Sequence, residues 1–406
     1  MKQVVSSTEP ISSQFVESVA AGIAYWRVQT REINDQTLSE LDNERHNLYR
    51  AVEYGLKLKQ TWRDTAVVSL QAFPLVERRG YWTDWIPVLE RAVSLCPDEE
   101  SELKCKLLNR LGQSYRLNRQ LDLAIEVHHQ SESIGRQSGN DRTLAEAYCH
   151  LGEAYLRRRD YEQAERYGRE ALSRFEQMAG ADEWMIAVLN TLGEAARFRG
   201  DMARAEERFD RAITLARQNN HSLQLVRLLS NQALNFQETG QYRDALDCLT
   251  EAGSILAETA NELDKVSVQN NIGLLYYKQG QWQEAEMAFH RADTDYLRRS
   301  PNFHLQAQVA NNIGNTLIKQ AKFESAVSYL RQAVDLWLQA DDKLELANTS
   351  GSLAEALAGQ GNTNQALAHF EEALALLAHF PDDTWAVRLR SDFRQQQLKL
   401  AGGEKA

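Results

Sequence analysis

The sequence predicts an all-α solenoid of antiparallel helix pairs, and three regularities predict it. Glycine or alanine recurs at Gly112, Gly152, Gly193, Ala233, Gly273, Gly314 and Ala354, with gaps of 40, 41, 40, 40, 41 and 40 residues. Alanine follows each of them twelve places later, from Ala124, Ala164 and Ala205 to Ala366, and a further small residue comes seven places beyond, from Ser131 and Ala171 to Ala373. Punctuation repeats with the same period: Arg199-Gly200-Asp201, Thr239-Gly240-Gln241, Gln279-Gly280-Gln281 and Gln360-Gly361-Asn362. A fixed period of this size marks a repeat array, whose units bury their apolar faces only against their neighbours.

Taken in order, residues 1–60 form an N-terminal helical segment. Phe15, Val19, Ile23 and Trp26 make one apolar helical stripe, and Leu41, Leu48, Val52 and Leu56 make a second on a helix that Asn34-Asp35 can cap. Residues 61–100 are a degenerate first repeat: Gly80, Trp82, Leu89, Ala92 and Pro97 hold the expected offsets, but Phe73 stands where the small residue belongs and should splay the helix pair. Seven repeats fill residues 101–382. In the fifth, Val266–Gln279 is the expected first helix and Gln283–Leu297 the second. Gly280 ends the first in the left-handed conformation, and Phe289 fills the gap beside the small residues, which let two backbones approach. Tyr161, Tyr242, Trp282 and Phe323 dock the second helices of their repeats. Residues 383–406 form a cap, with Trp385, Leu389 and Phe393 on one stripe and Arg388, Arg390, Arg394 and Lys399 opposite; Ala401 to Ala406 should fray.

Leu151-Gly152-x-x-Tyr155, then Tyr161, Ala164 and Ala171, with their equivalents in the other repeats, resemble the tetratricopeptide repeat. The family's usual unit is about 34 residues; the longer period here is similar to that of kinesin light chain and several bacterial regulators. The resemblance implies a right-handed superhelix that binds a peptide or protein. A second resemblance rests on Leu41-Asp42-Asn43-Glu44-Arg45-His46-Asn47-Leu48, the stretch through Tyr54, and Gly80-Tyr81-Trp82-Thr83-Asp84-Trp85. These look like the segment that joins the ATPase part of STAND-type regulators to their repeat sensor. No phosphate-binding G-x-x-x-x-G-K-[ST] occurs, so kinship would make the chain a sensor arm without the motor.

Composition narrows the function classes. The net charge is −11, against a basic face for bulk nucleic-acid or anionic-membrane binding. No run of 18 apolar residues occurs, and Met1 to Pro10 lacks the features of a signal peptide, so a cytoplasmic location is expected. Cys96, Cys105, Cys149 and Cys248 show no metal spacing, and His128-His129 point about 100° apart on a helix. No nucleophile elbow, zinc motif or phosphate loop points to an enzyme, and no metal or cofactor is expected.

In a tetratricopeptide array the first helix of each repeat lines the concave surface. That placement puts Asn109, Asn190, Asn270 and Asn311 at one inner position, Asn231, Asn271 and Asn312 one residue later, and Gln113, Glu153, Glu194 and Asn315 one turn along. Asparagine is a poor helix former, so its recurrence there needs a reason. A carboxamide offers donors and an acceptor to an extended peptide's amides, or to the neighbouring helix. A basic stripe, Arg116, Arg157, Arg197, Lys278 and Lys319 with Arg227 nearby, either complements helix dipoles or selects an acidic segment or free C-terminus. Tyr277 is the expected apolar anchor; Phe198, Trp184 and Trp337 are further aromatic candidates. The leading expectation is therefore a peptide-binding scaffold. The alternative is a stand-alone sensor of a small molecule or folded partner that signals through residues 11–60.

Overall fold

The computed structural model describes residues 12–257, 259 and 261–402. Its described residues form twenty-two α-helices and one 3-10 turn, with no strand among them. The chain divides into two compact units between Asp201 and Met202.

The first unit begins with α1 (Ser13–Gln29), α2 (Asp35–Asn43) and α3 (Arg45–Gly55). Asn34 caps α2 through a reciprocal capping box with Thr37, as the sequence suggested. The expected single helix behind that cap is two helices, because the backbone turns at Glu44 (φ −94°, ψ 4°). Next come α4 (Trp62–Gln71), α5 (Phe73–Arg79) and α6 (Trp82–Leu95). Here Pro74 enters the first turn of α5, so the first helix of the degenerate repeat is broken at Ala72. Phe73 sinks into the core at 1% exposure. Asp42 ties the region together: it accepts from the Tyr81 hydroxyl at 2.7 Å and pairs with Arg79 at 3.2 Å. Burial, then the Asp42 bond, push the Tyr81 phenol up to about 12.

After the 3-10 turn Asp98–Glu100 the regular pairs begin: α7 (Ser101–Leu117) on α8 (Leu121–Ser138), α9 (Asp141–Arg157) on α10 (Tyr161–Phe175), then α11 (Asp182–Phe198). The second unit opens with α12 (Met202–Gln218). It continues with the pairs α13 (Ser222–Glu238) and α14 (Tyr242–Leu256), and α15 (Glu262–Lys278) and α16 (Trp282–Ala292). The short α17 (Asp295–Arg299) follows, then α18 (Phe303–Lys319) with α19 (Phe323–Ala340), α20 (Lys343–Gly359) with α21 (Thr363–Leu377), and α22 (Thr384–Gly402). Of the residues expected to fray, Ala401 and Gly402 close α22, and 403–406 lie outside the described set.

Repeat glycines act where the sequence placed them. Gly200, Gly240, Gly280 and Gly361 all take positive φ, and a β-carbon on Gly273 would stand 2.5 Å from the Phe289 ring. One expected helix differs. The second helix of the fifth repeat stops at Ala292 instead of reaching Leu297. Asp293 binds Arg298 at 3.0 Å and the Thr294 hydroxyl accepts the Leu297 N–H at 3.1 Å, so two side chains draw the backbone into a new start.

Candidate functional site

The first helices lie side by side within each unit, α7–α9–α11 in one and α13–α15–α18–α20 in the other. This brings the expected inner residues onto adjoining helices, where their side chains have very different partners in the two units.

In the first unit, charges close on one another. Arg116 reaches Glu153 at 3.4 Å, and Arg157 forms a two-pronged pair with Glu194 at 3.0 and 3.2 Å. Asn190 donates to the same Glu194 at 3.1 Å. Each arginine meets a glutamate thirty-seven residues on, one repeat further along the stack. Burial alone would raise the Glu153 carboxyl, but Arg116, His150 and Arg157 together hold it at about 2. The Glu194 side chain is 5% exposed, so the Arg157 pair compensates a buried charge. Asn109 is buried, and Arg197 is buried with its guanidinium 4.3 Å from the Phe198 ring. Phe198 itself stacks on Tyr161 at 5.2 Å, and Trp184 on Phe175 at 5.7 Å.

Beneath this face lies an unexpected pair. His128 is fully buried, stacks on His150 at 5.1 Å, and neither ring nitrogen has a hydrogen-bond partner among the described residues. Burial, then His150 and Arg116, drive its pKa well below the ordinary histidine value. The signal was present in the repeat alignment: His128 holds the column of Phe209, Leu249, Phe289, Leu330 and Phe370.

In the second unit, amides predominate. Asn312 donates to Asn270 at 2.9 Å across α18 and α15. Asn311 accepts from Thr349 at 3.1 Å, and Thr349 accepts from the Trp337 indole at 2.9 Å, so Trp337 is a core residue at 1% exposure. Arg227 and Lys319 make long ion pairs with Asp264 and Glu355, at 3.8 and 3.9 Å. Asn231 is half-buried on α13. Tyr277 is half-buried, edge-on to Trp282 at 5.1 Å. Asn271 and Asn315 are half-buried and Lys278 is exposed; among the described residues none of the three has a hydrogen bond or ion pair.

A tetratricopeptide repeat model matches residues 103–177, 184–258 and 305–378, more than half of the chain, and a second one matches 266–292. The chain belongs to the tetratricopeptide repeat family. No protein with a curated description matches it. Among solved structures, the tetratricopeptide chain is similar to the apo form of the quorum sensor NprR from B. thuringiensis. Identity is 15%, 89% of this chain and 99% of that one are covered, and the TM-score is 0.56. Aspartyl phosphate phosphatase F from Bacillus subtilis gives 15% identity over 91% of this chain and 95% of that one, with a TM-score of 0.55. A Rap protein complexed with competence and sporulation factor gives 13% identity over 82% of this chain and 99% of that one, with a TM-score of 0.55. At these identities the likeness is one of fold, a tetratricopeptide-type solenoid. No described helix is long and apolar enough to cross a membrane.

Proposed function

We propose that this repeat protein is a non-enzymatic scaffold that holds an extended peptide or protein segment against its first helices, with the grip centred on α15 and α18. The observation that carries the reading is the unpartnered set Asn271, Asn315 and Lys278 on those two helices, next to carboxamides already tied to neighbouring helices. Half-buried carboxamides with open donors and acceptors suit the amides of an extended chain. Lys278, with the weakly paired Lys319, favours an acidic side chain or a C-terminal carboxylate nearby. The remaining basic positions contribute less to such a ligand, because Arg116 and Arg157 are neutralised within the array. Fold likeness to a Rap protein complexed with competence and sporulation factor agrees with this reading.

Selection of a displayed random-peptide library on the full chain tests it. Enriched peptides should bind wild type, carry acidic residues or a required free C-terminus, and lose at least tenfold in affinity on an Asn271→Ala, Asn315→Ala variant. Peptides that bind both proteins equally would place the interface elsewhere.

A second reading, a stand-alone sensor signalling through its N-terminal helices, draws on a cavity of about 280 Å³ in the first unit, bounded by His46, Tyr49, Leu75, Tyr81, Asp84 and Trp85. It requires a small molecule or folded partner to shift the exchange rates of α1 to α3.

A further inference from the structure

A departure from the repeat pattern in the second unit lies at the junction of α14, α15 and α16, on the same helix α15 that carries Asn271. The residue after the last small position of each second helix is apolar in four repeats, at Leu172, Ile213, Val334 and Leu374; here it is Gly253. The residue eight places before the small position of the next first helix is apolar in four repeats, at Leu144, Met185, Leu225 and Leu346; here it is Lys265. Where both columns are apolar they pack together, as Val334 does with the cluster containing Leu346. At this junction glycine and lysine replace that plug. The early end of α16 at Ala292, after 11 residues where α14 has 15, removes a further stretch of helix beside it.

The result is a cavity of about 370 Å³, lined by Gly253, Leu256, Lys265, Val266, Gln269 and Arg291, among others. This volume lies within the range of small-molecule pockets, roughly 300–1,000 Å³. A β-carbon on Gly253 would touch nothing within 4 Å. Lys265 is paired with Glu262 at 3.0 Å, whereas Arg291 has no hydrogen bond or ion pair among the described residues. The side-chain oxygen of Gln269 is buried without a hydrogen-bond partner among the described residues. The lining therefore combines apolar walls, the Glu262–Lys265 pair, Thr294, an exposed Arg291 guanidinium and the Gln269 acceptor, the last two without partners among the described residues.

We propose that this cavity binds a small amphipathic monocarboxylate that also carries a hydrogen-bond donor. Its carboxylate pairs with Arg291, its hydroxyl or N–H donates to Gln269, and its apolar body takes the space that the missing plug leaves against Leu256 and Val266. Arginine suits this task because its planar fork matches a carboxylate. The site shares α15 with the proposed peptide face but uses different side chains, so the Gly253→Leu and Asn271→Ala, Asn315→Ala variants separate the two.

Calorimetric titration of the full chain with 3-hydroxyoctanoate, octanoate and octyltrimethylammonium tests the proposal. Saturable binding of the two carboxylates is expected, with 3-hydroxyoctanoate the tighter, and none of the ammonium. Gly253→Leu introduces the residue that two other repeats carry, at Leu172 and Leu374, and should weaken carboxylate binding at least tenfold while the melting temperature holds or rises. Arg291→Gln should weaken it about tenfold with the fold unchanged. Failure of both carboxylates to bind wild type would overturn the proposal, as would equal binding of the ammonium, or unaltered affinity in a folded Gly253→Leu protein.

Discussion

The two units share one backbone plan yet present different inner faces. In the first, arginines at the ends of α7 and α9 meet glutamates of the next first helix, and a stacked histidine pair lies beneath them. In the second, the equivalent helices carry asparagines, some bonded sideways to the neighbouring repeat and some open. The difference teaches that residue type at a repeated position decides whether a face is internally satisfied or available. Opposite charges one repeat apart neutralise each other, whereas a column of carboxamides leaves surplus donors and acceptors. The first face should therefore be the more sensitive in stability and the second in binding.

Five variants sharpen or break that comparison. The largest effect concerns packing. Gly273→Leu drives a side chain into Phe289 and should destabilise by about 3 kcal/mol, at the upper end for an overpacked core. Gly152→Ala meets only an ordinary contact of 3.4 Å and should be tolerated in the same denaturation assay.

His128→Phe comes next, introducing the residue that three other repeats carry, at Phe209, Phe289 and Phe370. Removing two buried, unpartnered ring nitrogens should stabilise by roughly 2 kcal/mol at pH 7. It should also change the pH profile. His128 faces Arg116 from α7 and His150 and Glu153 from α9, with His129 beside it on α8. Its folded pKa lies below the unfolded value of about 6.5, so the unfolded chain binds more protons in that interval. Stability is therefore full above about pH 6.5 and falls as the pH drops towards the folded pKa. Glu153, held at about 2, does not titrate in that window. Melting curves between pH 7 and 5 should show a loss in wild type that His128→Phe reduces; the same slope in both proteins would contradict this account.

Arg157→Ala leaves the Glu194 carboxylate without its principal cation. Breaking a buried pair costs about 3–5 kcal/mol, but Arg157 is 41% exposed, and solvent screening lowers the expected loss to roughly 1–2 kcal/mol. Chemical denaturation reads it directly. The smallest effect on stability belongs to Asn271→Ala with Asn315→Ala, below about 0.5 kcal/mol. That variant should nevertheless lose roughly 1.4–3 kcal/mol of peptide affinity, tenfold or more, as buried hydrogen bonds disappear. A large stability loss would show that these carboxamides serve the array and would erase the contrast.

Much of the fold was legible because the repeat period forces equivalent residues into equivalent places. The seven small residues, the left-handed glycines and the aromatic starts of α10, α14, α16 and α19 all appear where their columns put them. Helix breaks were less legible. Glu44 and Asp293 interrupt apolar stripes that continue past them, because a local turn or a side-chain cap outweighed periodicity. At the candidate site the sequence located the inner positions but not their partners. The Arg–Glu offset of thirty-seven residues joins two repeats and is visible only when columns of adjacent units are compared for charge. The bonds of Asn270 to Asn312 and of Asn311 to Thr349 depend on side-chain directions that periodicity does not set.

The most direct test of the central claim is amide hydrogen–deuterium exchange of the full chain with and without a library-selected peptide. Added protection should concentrate on residues 262–278 and 303–319, the α15 and α18 helices, and leave 141–157 and 182–198 unchanged. Protection confined to α9 and α11, or to the N-terminal helices, would contradict it.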